Sequence, residues 1–167
     1  MEYFKQEKDY TCGCACVKMA LSMFEPEFIE EEFLEKELDT KPNRGTDPKN
    51  VEKFFIDRNY DVISKENSSV EEIQKYFEEG WAVFLAVSVD VPHFTMYGGH
   101  NGNHIKFFDP YFGIIHGLIK HFQNERMKFP TLRWRVVPEE FKKYFPDYDF
   151  DGNESHKYFL AVKKKSS

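Results

Sequence analysis

The run from Cys12 to Leu21 is the feature that most restricts how this chain can fold. It reads Cys-Gly-Cys-Ala-Cys-Val-Lys-Met-Ala-Leu, with one charged residue, and its mostly small apolar side chains favour a buried helix. We expect Thr11 or Asp9 to cap that helix, which places Cys12 at its N-terminus. There the positive end of the helix dipole and the unpaired backbone N–H groups favour thiolate over thiol. The pattern therefore predicts Cys12 as a nucleophile.

The other two cysteines of this run are predicted to be structural. Cys16 lies one turn beyond Cys12 on the same helix face, and the 3.6-residue period turns Cys14 away from both. Free cysteines usually behave as small buried apolar residues. A metal site would need the three sulfurs to converge, and a disulfide would need a geometry that one helical turn does not supply. We therefore expect neither a metal nor a disulfide at the cysteines.

A partner for Cys12 is predicted in residues 92–110, which have the pattern of a β-hairpin. Apolar strands flank a cluster of turn formers at 98–103, and a hairpin symmetric about Asn101 would place His93 directly opposite Asp109. Directly opposed residues have Cβ atoms about 4.5–5.5 Å apart, so the carboxylate could orient the imidazole. This pattern predicts His93 as general base and Asp109 as its orienting group. The alternative is that His93 only begins a strand and Asp109 only begins an Asp-Pro turn.

Periodicity along the rest of the chain predicts an α+β fold. Helices are expected at residues 12–24, 27–38, 48–59 and 70–79. Short strands are expected at residues 61–64, 82–89, 93–97, 105–109, 114–116, 133–137 and 158–162. Helices followed by an antiparallel sheet indicate a helical lobe with the nucleophile, packed against a sheet lobe with the histidine and aspartate. No linker or repeat divides the chain, so residues 1–167 are predicted to form one domain.

Three segments carry a resemblance to the C39-like cysteine peptidases, a branch of the papain-like superfamily known best from bacteriocin-processing domains. They are residues 6–21, with Gln6 followed by Cys12-Gly-Cys-Ala and Met19, then His93-Phe94, then Asp109-Pro110 with Gly113 beyond. The resemblance covers roughly residues 1–120. Residues 121–167 depart from it, as an extension expected to close the sheet.

The resemblance implies a papain-like fold and a role for each matching residue. Cys12 would be the nucleophile, His93 the general base and Asp109 the orienting acid. Gln6 would supply the oxyanion-hole donor together with the backbone N–H of Cys12. Gly13 would leave the thiol open and let a substrate backbone approach closely. No cofactor is implied.

Charge and composition exclude other functions. A net charge of −6 argues against a general nucleic-acid binder. No apolar run approaches a membrane span, and the first residues lack the pattern of a signal peptide. We therefore expect a protein of the reducing cytoplasm. No exporter sequence accompanies the peptidase-like segment, so leader cleavage during export is not implied.

The predicted function is hydrolysis of a peptide bond by a Cys-His-Asp triad with a glutamine in the oxyanion hole. From the family, cleavage would follow small residues of the Gly-Gly or Gly-Ala type, in a peptide leader or the tail of a ubiquitin-like protein. One alternative is acyl transfer at the same site by a transpeptidase or transglutaminase-like enzyme. Another is a catalytically silent module that holds a peptide tail. The expected partner is a peptide or protein, and the sequence specifies no oligomeric state.

A second candidate site lies near the end of the chain. Asp147, Asp149 and Asp151, followed by Gly152, match the first half of a calcium-binding loop. The twelfth position, where such a loop uses a bidentate glutamate, is Tyr158. We expect an acidic surface turn, with calcium binding as the alternative.

Overall fold

The computed structural model of the protein describes residues 1–25, 28–88, 92–123, 133–134 and 157–166. The helices within these ranges are α1 (Cys12–Leu21), α2 (Glu31–Glu37), α3 (Pro48–Asp57), α4 (Val70–Glu78) and α5 (Ile119–Phe122). The strands are β1 (Tyr60–Lys65), β2 (Ala82–Ser88), β3 (Pro92–Asn101), β4 (His104–Asp109), β5 (Gly113–Leu118), β6 (Arg133–Trp134) and β7 (Phe159–Lys164). Each predicted helix and strand has its counterpart here, and α5 is an addition to the prediction.

Several helices are shorter than predicted because side chains and backbone conformation end them early. α1 stops at Leu21, where the Ser22 hydroxyl donates to the carbonyl of Met19 and so competes with the helical ladder. α2 begins at Glu31 and not at residue 27, since Glu30 is still extended. α3 ends at Asp57, and Asn59 then takes a left-handed conformation with φ of 62°.

Antiparallel pairing joins the strands into one sheet in the order β1-β7-β2-β3-β4-β5, and β6 pairs with one end of β2. The last strand in sequence, β7, therefore lies inside the sheet, between β1 and β2. β2 reads as an unbroken apolar run because helices cover both of its faces. β4 and β5 lie at the opposite side of the sheet from β1.

Two apolar clusters separate the helices onto the two faces of the sheet. α1 and α3 pack on one face, against residues such as Phe84 and Met96. α4 packs on the other, in a cluster that includes Ile73, Leu85 and Phe107. This division follows from alternation along β2, whose successive side chains point to opposite faces.

α1 is buried along its whole length, which distinguishes it from the amphipathic α3 and α4. Its one charged residue, Lys18, is only 8% exposed. The Nζ of Lys18 lies 5.1 Å from the ring centroid of Phe4 and 5.0 Å from that of Phe28, and 3.9 Å from Glu7 Oε1. Aromatic faces and a carboxylate thus compensate the buried ammonium.

None of the helices in the described part of the chain is both long and apolar enough to cross a membrane.

Replacing Phe55 by alanine is expected to lower the free energy of unfolding by about 3–5 kcal/mol, because it leaves a cavity in the core. The Phe55 ring packs edge-on against the rings of Tyr60 and Phe84, at centroid distances of 5.2 Å and 5.8 Å. Its neighbour Ile56 is 57% exposed and provides the control. Ile56→Ala should change stability by no more than about 0.5 kcal/mol in urea unfolding. Equal losses in the two variants would contradict this packing.

Candidate active site

Cys12 is the first residue of α1, and 7% of its surface is exposed. Thr11 stands at the N-cap position, but the expectation that it caps the helix is wrong, since its side chain makes no capping hydrogen bond. The Thr11 hydroxyl instead donates to the carbonyl of Lys8 (3.0 Å) and accepts from its N–H (3.1 Å). Asp9 lies inside the turn that these bonds close. The thiol therefore lies at a helix tip that Thr11 leaves uncapped.

The side chain of His93 and the backbone N–H of Phe94 lie close enough to the Cys12 thiol to influence its pKa. Burial alone would raise the pKa of Cys12, but the positive charge and hydrogen bond of His93 and the N–H of Phe94 together lower it. Burial likewise opposes the charged form of His93, yet the thiolate and Asp109 raise its pKa to about 10. These opposed shifts favour a thiolate–imidazolium pair.

Asp109 is fully buried and holds the other side of the His93 ring. His93 Nε2 lies 2.9 Å from Asp109 Oδ2, which leaves Nδ1 as the ring nitrogen available to another partner. Asp109 Oδ1 accepts from the backbone N–H groups of Tyr111 and Phe112, each at 2.9 Å. Burial would raise the pKa of Asp109, but the hydrogen bond and charge of His93 and these two N–H groups lower it.

The hairpin that carries His93 and Asp109 turns at a different place from the predicted one. β3 continues to Asn101, and the reversal is made by residues 102–103 alone. A bulge between Tyr97 and His100 shifts the pairing further. Gly99, within the bulge, has φ of 89°, and a Cβ there would lie 2.8 Å from the Phe77 ring. The Gly-Gly pair thus belongs to a bulged strand and not to the turn.

The predicted direct opposition of His93 and Asp109 is therefore wrong. In the observed register Met96 pairs with Phe108, so the position opposite Asp109 is that of Thr95. His93 lies two residues from Thr95, which makes the pair diagonal neighbours. An even shift keeps both side chains on one face, and a diagonal pair is still within reach of long side chains.

Gln6 is buried and connects the segment before α1 to the turn after β4. Its backbone N–H donates to the carbonyl of Pro110 at 2.9 Å. Its side-chain Nε2 donates one hydrogen to the carbonyl of Lys8 at 2.7 Å, in the turn that leads to Cys12. A carboxamide nitrogen has two hydrogens, so a second donor is available for a ligand. Gln6 Oε1 is buried without a hydrogen-bond partner in the described residues.

Cys14 and Cys16 differ from Cys12 in their surroundings. Burial raises the pKa of Cys14 to about 12, and the Cys14 sulfur lies 3.4 Å from Thr40 Oγ1. Burial also raises the pKa of Cys16. Across the described residues, no three or more His, Cys, Asp or Glu side chains come together in a way that could hold a metal ion.

Gly13 has a packing role that the sequence did not predict. A Cβ at this position would lie 2.5 Å from Thr46 Oγ1 and 2.6 Å from Thr46 Cβ. The space that Gly13 leaves open is thus occupied by Thr46, not by an approaching substrate. Thr46 Oγ1 also lies 2.8 Å from Thr40 Oγ1, which fixes the loop between them against the start of α1.

The acidic segment with Asp147, Asp149 and Asp151 lies outside the described residues. Sequence reasoning also missed the two N–H groups of Tyr111 and Phe112 that hold Asp109 in place. The signal for them was present, because an aspartate followed by Pro110 and Gly113 is typical of a turn in which the aspartate side chain accepts from the backbone that follows it.

The protein matches the model of one protein family and resembles several solved structures. The model of the Peptidase C39 family matches residues 1–128. No curated protein sequence matches the chain significantly.

Three solved structures resemble the protein along nearly its whole length. A double glycine motif protease from an AMS/PCAT transporter, solved in complex with the leader peptide, is 15% identical with a TM-score of 0.67, covering 98% of this chain and 91% of that one. The peptidase domain of Streptococcus ComA, a bi-functional ABC transporter involved in a quorum sensing pathway, is 11% identical with a TM-score of 0.66, covering 98% of each chain. A candidate C39-like peptidase from Bacillus anthracis is 12% identical with a TM-score of 0.59, covering 99% and 96%. These likenesses confirm the predicted α+β, papain-like fold.

Alkylation of Cys12 by iodoacetamide is expected to begin at a pH well below the about 8.5 of a free thiol. The physical reason is that His93 lowers the pKa of Cys12, so thiolate forms at lower pH. His93→Ala should raise the apparent pKa of Cys12, because only the N–H of Phe94 then opposes the effect of burial. The rate is read by intact mass and peptide mapping, with Cys14 and Cys16 as internal controls that stay unlabelled. Equal labelling of all three cysteines would contradict the geometry.

Asp109→Asn is expected to lower the pKa of His93 from about 10, because it removes a negative charge and a charge-assisted hydrogen bond. The asparagine oxygen can still accept from Tyr111 and Phe112, so the turn should persist. The measurement is an NMR titration of the His93 side chain. Asp57→Asn, at a surface carboxylate paired with Lys53, is the control. A His93 pKa that does not move in Asp109→Asn would rule out the electrostatic role.

Proposed function

The chain belongs to the Peptidase C39 family, and on this premise we propose that it is a cysteine peptidase with Cys12 as its nucleophile. His93, protonated in its pair with the thiolate, acts as general acid and then as general base, and Asp109 orients the imidazole. Gln6 and the backbone N–H of Cys12 form the oxyanion hole.

One observation carries the proposal. A path of interactions runs from the Cys12 thiol, whose pKa the charge of His93 lowers, through the His93 ring to the fully buried Asp109 at 2.9 Å. A cysteine nucleophile needs a nearby base, and that base needs a third group to hold its tautomer. The same path explains why one thiol of three is activated.

The proposed reaction proceeds through a thioester. The Cys12 thiolate attacks the scissile carbonyl carbon, and the carbonyl oxygen becomes an oxyanion that accepts from Gln6 and the Cys12 N–H. The tetrahedral intermediate collapses as the C–N bond breaks, and the leaving amine takes its proton from the His93 imidazolium. Neutral His93 then removes a proton from water, whose oxygen attacks the thioester and releases the acid and Cys12.

We propose a peptide substrate with small residues before the scissile bond, of the Gly-Gly or Gly-Ala type. Support comes from the family and from the double glycine motif protease, whose structure contains the leader peptide. We further propose the reducing cytoplasm as the compartment, because a nucleophilic thiol must stay reduced and all three cysteines are unpaired.

We expect the protein to hydrolyse a peptide that carries Gly-Gly before a fluorogenic aminocoumarin. Cys12→Ala should abolish turnover, since no other group can form the thioester. Gln6→Ala should lower kcat by about 100- to 1,000-fold, the usual effect of losing one oxyanion-hole donor. Cys14→Ala is the matched control and should retain turnover, because Cys14 faces Thr40 and not His93.

The same assay distinguishes the alternatives. Hydrolysis to the free acid supports the peptidase. Preferential formation of an amide product when an amine nucleophile is added would instead indicate an acyl transferase with the same site. Saturable binding of the peptide without any thioester or product would contradict the catalytic proposal and would indicate a module that only binds peptides.

A further inference from the structure

α2 holds the segment between Gln6 and Cys12 through two carboxylates that lie one turn apart. Glu31 Oε1 accepts from the backbone N–H of Glu7 at 2.8 Å. Glu35 accepts from the Tyr10 hydroxyl at 2.8 Å and from Lys8 Nζ. The spacing of four residues places both carboxylates on one face of the helix. The neighbour of the proposed oxyanion donor is thus attached to α2.

The two carboxylates differ in burial. The Glu35 and Lys8 side chains are 18% and 45% exposed, and such partly solvated pairs contribute little to stability. Glu31 is 1% exposed. Its bond to Glu7 is therefore shielded from water and holds a defined geometry.

Stability does not account for Glu31. Its Oε2 atom is buried and has no hydrogen-bond partner in the described residues, so the carboxylate is only partly compensated. Burying a carboxylate that is only partly compensated costs free energy, so stability alone does not favour a glutamate at this position. We therefore attribute to Glu31 the role of fixing the position of the Glu7 peptide group.

We propose that Glu31 is a positioning residue for the oxyanion hole, an inference that rests on the proposed function of Gln6. The carbonyl of Pro110 fixes the backbone N–H of Gln6 and the carbonyl of Lys8 fixes its side chain, while Glu31 fixes the peptide unit between Gln6 and Lys8. Loss of this third attachment lets the carboxamide move away from the developing oxyanion. A displacement of about 1 Å can cost about 100-fold in rate.

The experiment compares three substitutions that separate position from charge. Glu31→Met removes the acceptor, and Glu31→Asp keeps the charge but withdraws the carboxylate by one methylene. Glu31→Gln keeps an acceptor oxygen at the same reach without the charge. Glu32→Gln is the control, because Glu32 is 75% exposed and pairs only with Lys36 among the described residues. All four are measured in the full chain.

Two readouts distinguish positioning from a general structural effect. The first is kcat on the Gly-Gly aminocoumarin peptide, together with adduct formation by a Gly-Gly peptide aldehyde, because both need the oxyanion hole. The second is the rate of Cys12 alkylation by iodoacetamide, which reports the Cys12–His93 pair and forms no oxyanion. Circular dichroism and thermal midpoints report folding.

We expect Glu31→Met and Glu31→Asp to lower kcat and aldehyde adduct formation by about 10- to 100-fold while Cys12 alkylation stays within about twofold. Glu31→Gln should keep nearly full activity. In a Gln6→Ala background, Glu31→Met should have little further effect, because the donor that it positions is gone. If Glu31→Met fails to fold, Glu31→Asp decides the question.

Three outcomes would overturn the inference. They are full activity in Glu31→Met and Glu31→Asp, an equal loss of alkylation and turnover, or an unchanged loss in the Gln6→Ala background. Failure of the unmodified protein both to hydrolyse the peptide and to form the aldehyde adduct overturns the proposed function, and this inference with it. If the unmodified protein is active and the Glu31 variants are equally active, this inference alone is overturned and the proposed function stands.

Discussion

The buried carboxylate of Asp109 is the interaction on which the arrangement of the site depends. It has no exposed surface, and it binds His93 on one oxygen and the backbone of Tyr111 and Phe112 on the other. The next carbonyl, of Pro110, receives the N–H of Gln6. One residue thus fixes the imidazole, the β4–β5 turn and, through its neighbour, the segment before α1. A buried charge is tolerated only while its partners remain, and breaking such a pair typically costs about 3–5 kcal/mol.

The position of the thiol is set by packing and not by a helix cap. The Thr11 hydroxyl forms its hydrogen bonds with the backbone of Lys8, so Thr11 does not cap the first turn of α1. The helix is instead buried on all sides and packs against β3, which carries His93. The fit of Gly13 against Thr46 fixes how closely the loop at residues 40–47 approaches the helix start. Close packing on all sides restricts rotation and translation of the helix, and this restricts the position of its first residue, Cys12.

Much of this arrangement was predictable from the sequence because its local signals agree with the fold. The apolar run of α1 and the unbroken strand β2 follow from composition and period. The hairpin register did not, since a Gly-Gly pair fits a bulge as well as a turn, and only contact with Phe77 decides between them. The prediction that His93 and Asp109 share one face of the sheet is still correct, because the register differs by two residues, an even number. Glu31 carried no local signal, because its partner Glu7 lies 24 residues away.

Burial is the largest influence on the pKa of Cys12, Cys14 and Cys16 alike, and at each of them it favours the neutral thiol. What separates Cys12 is its partners. His93 and the N–H of Phe94 outweigh burial at Cys12, whereas hydroxyl groups at Cys14 do not. The same low-polarity surroundings that suppress an unpaired thiolate also strengthen its attraction to a nearby imidazolium. Three thiols in five residues therefore need no difference in exposure to differ in pKa, because the partners of Cys12 lower its pKa while burial raises the pKa of the other two.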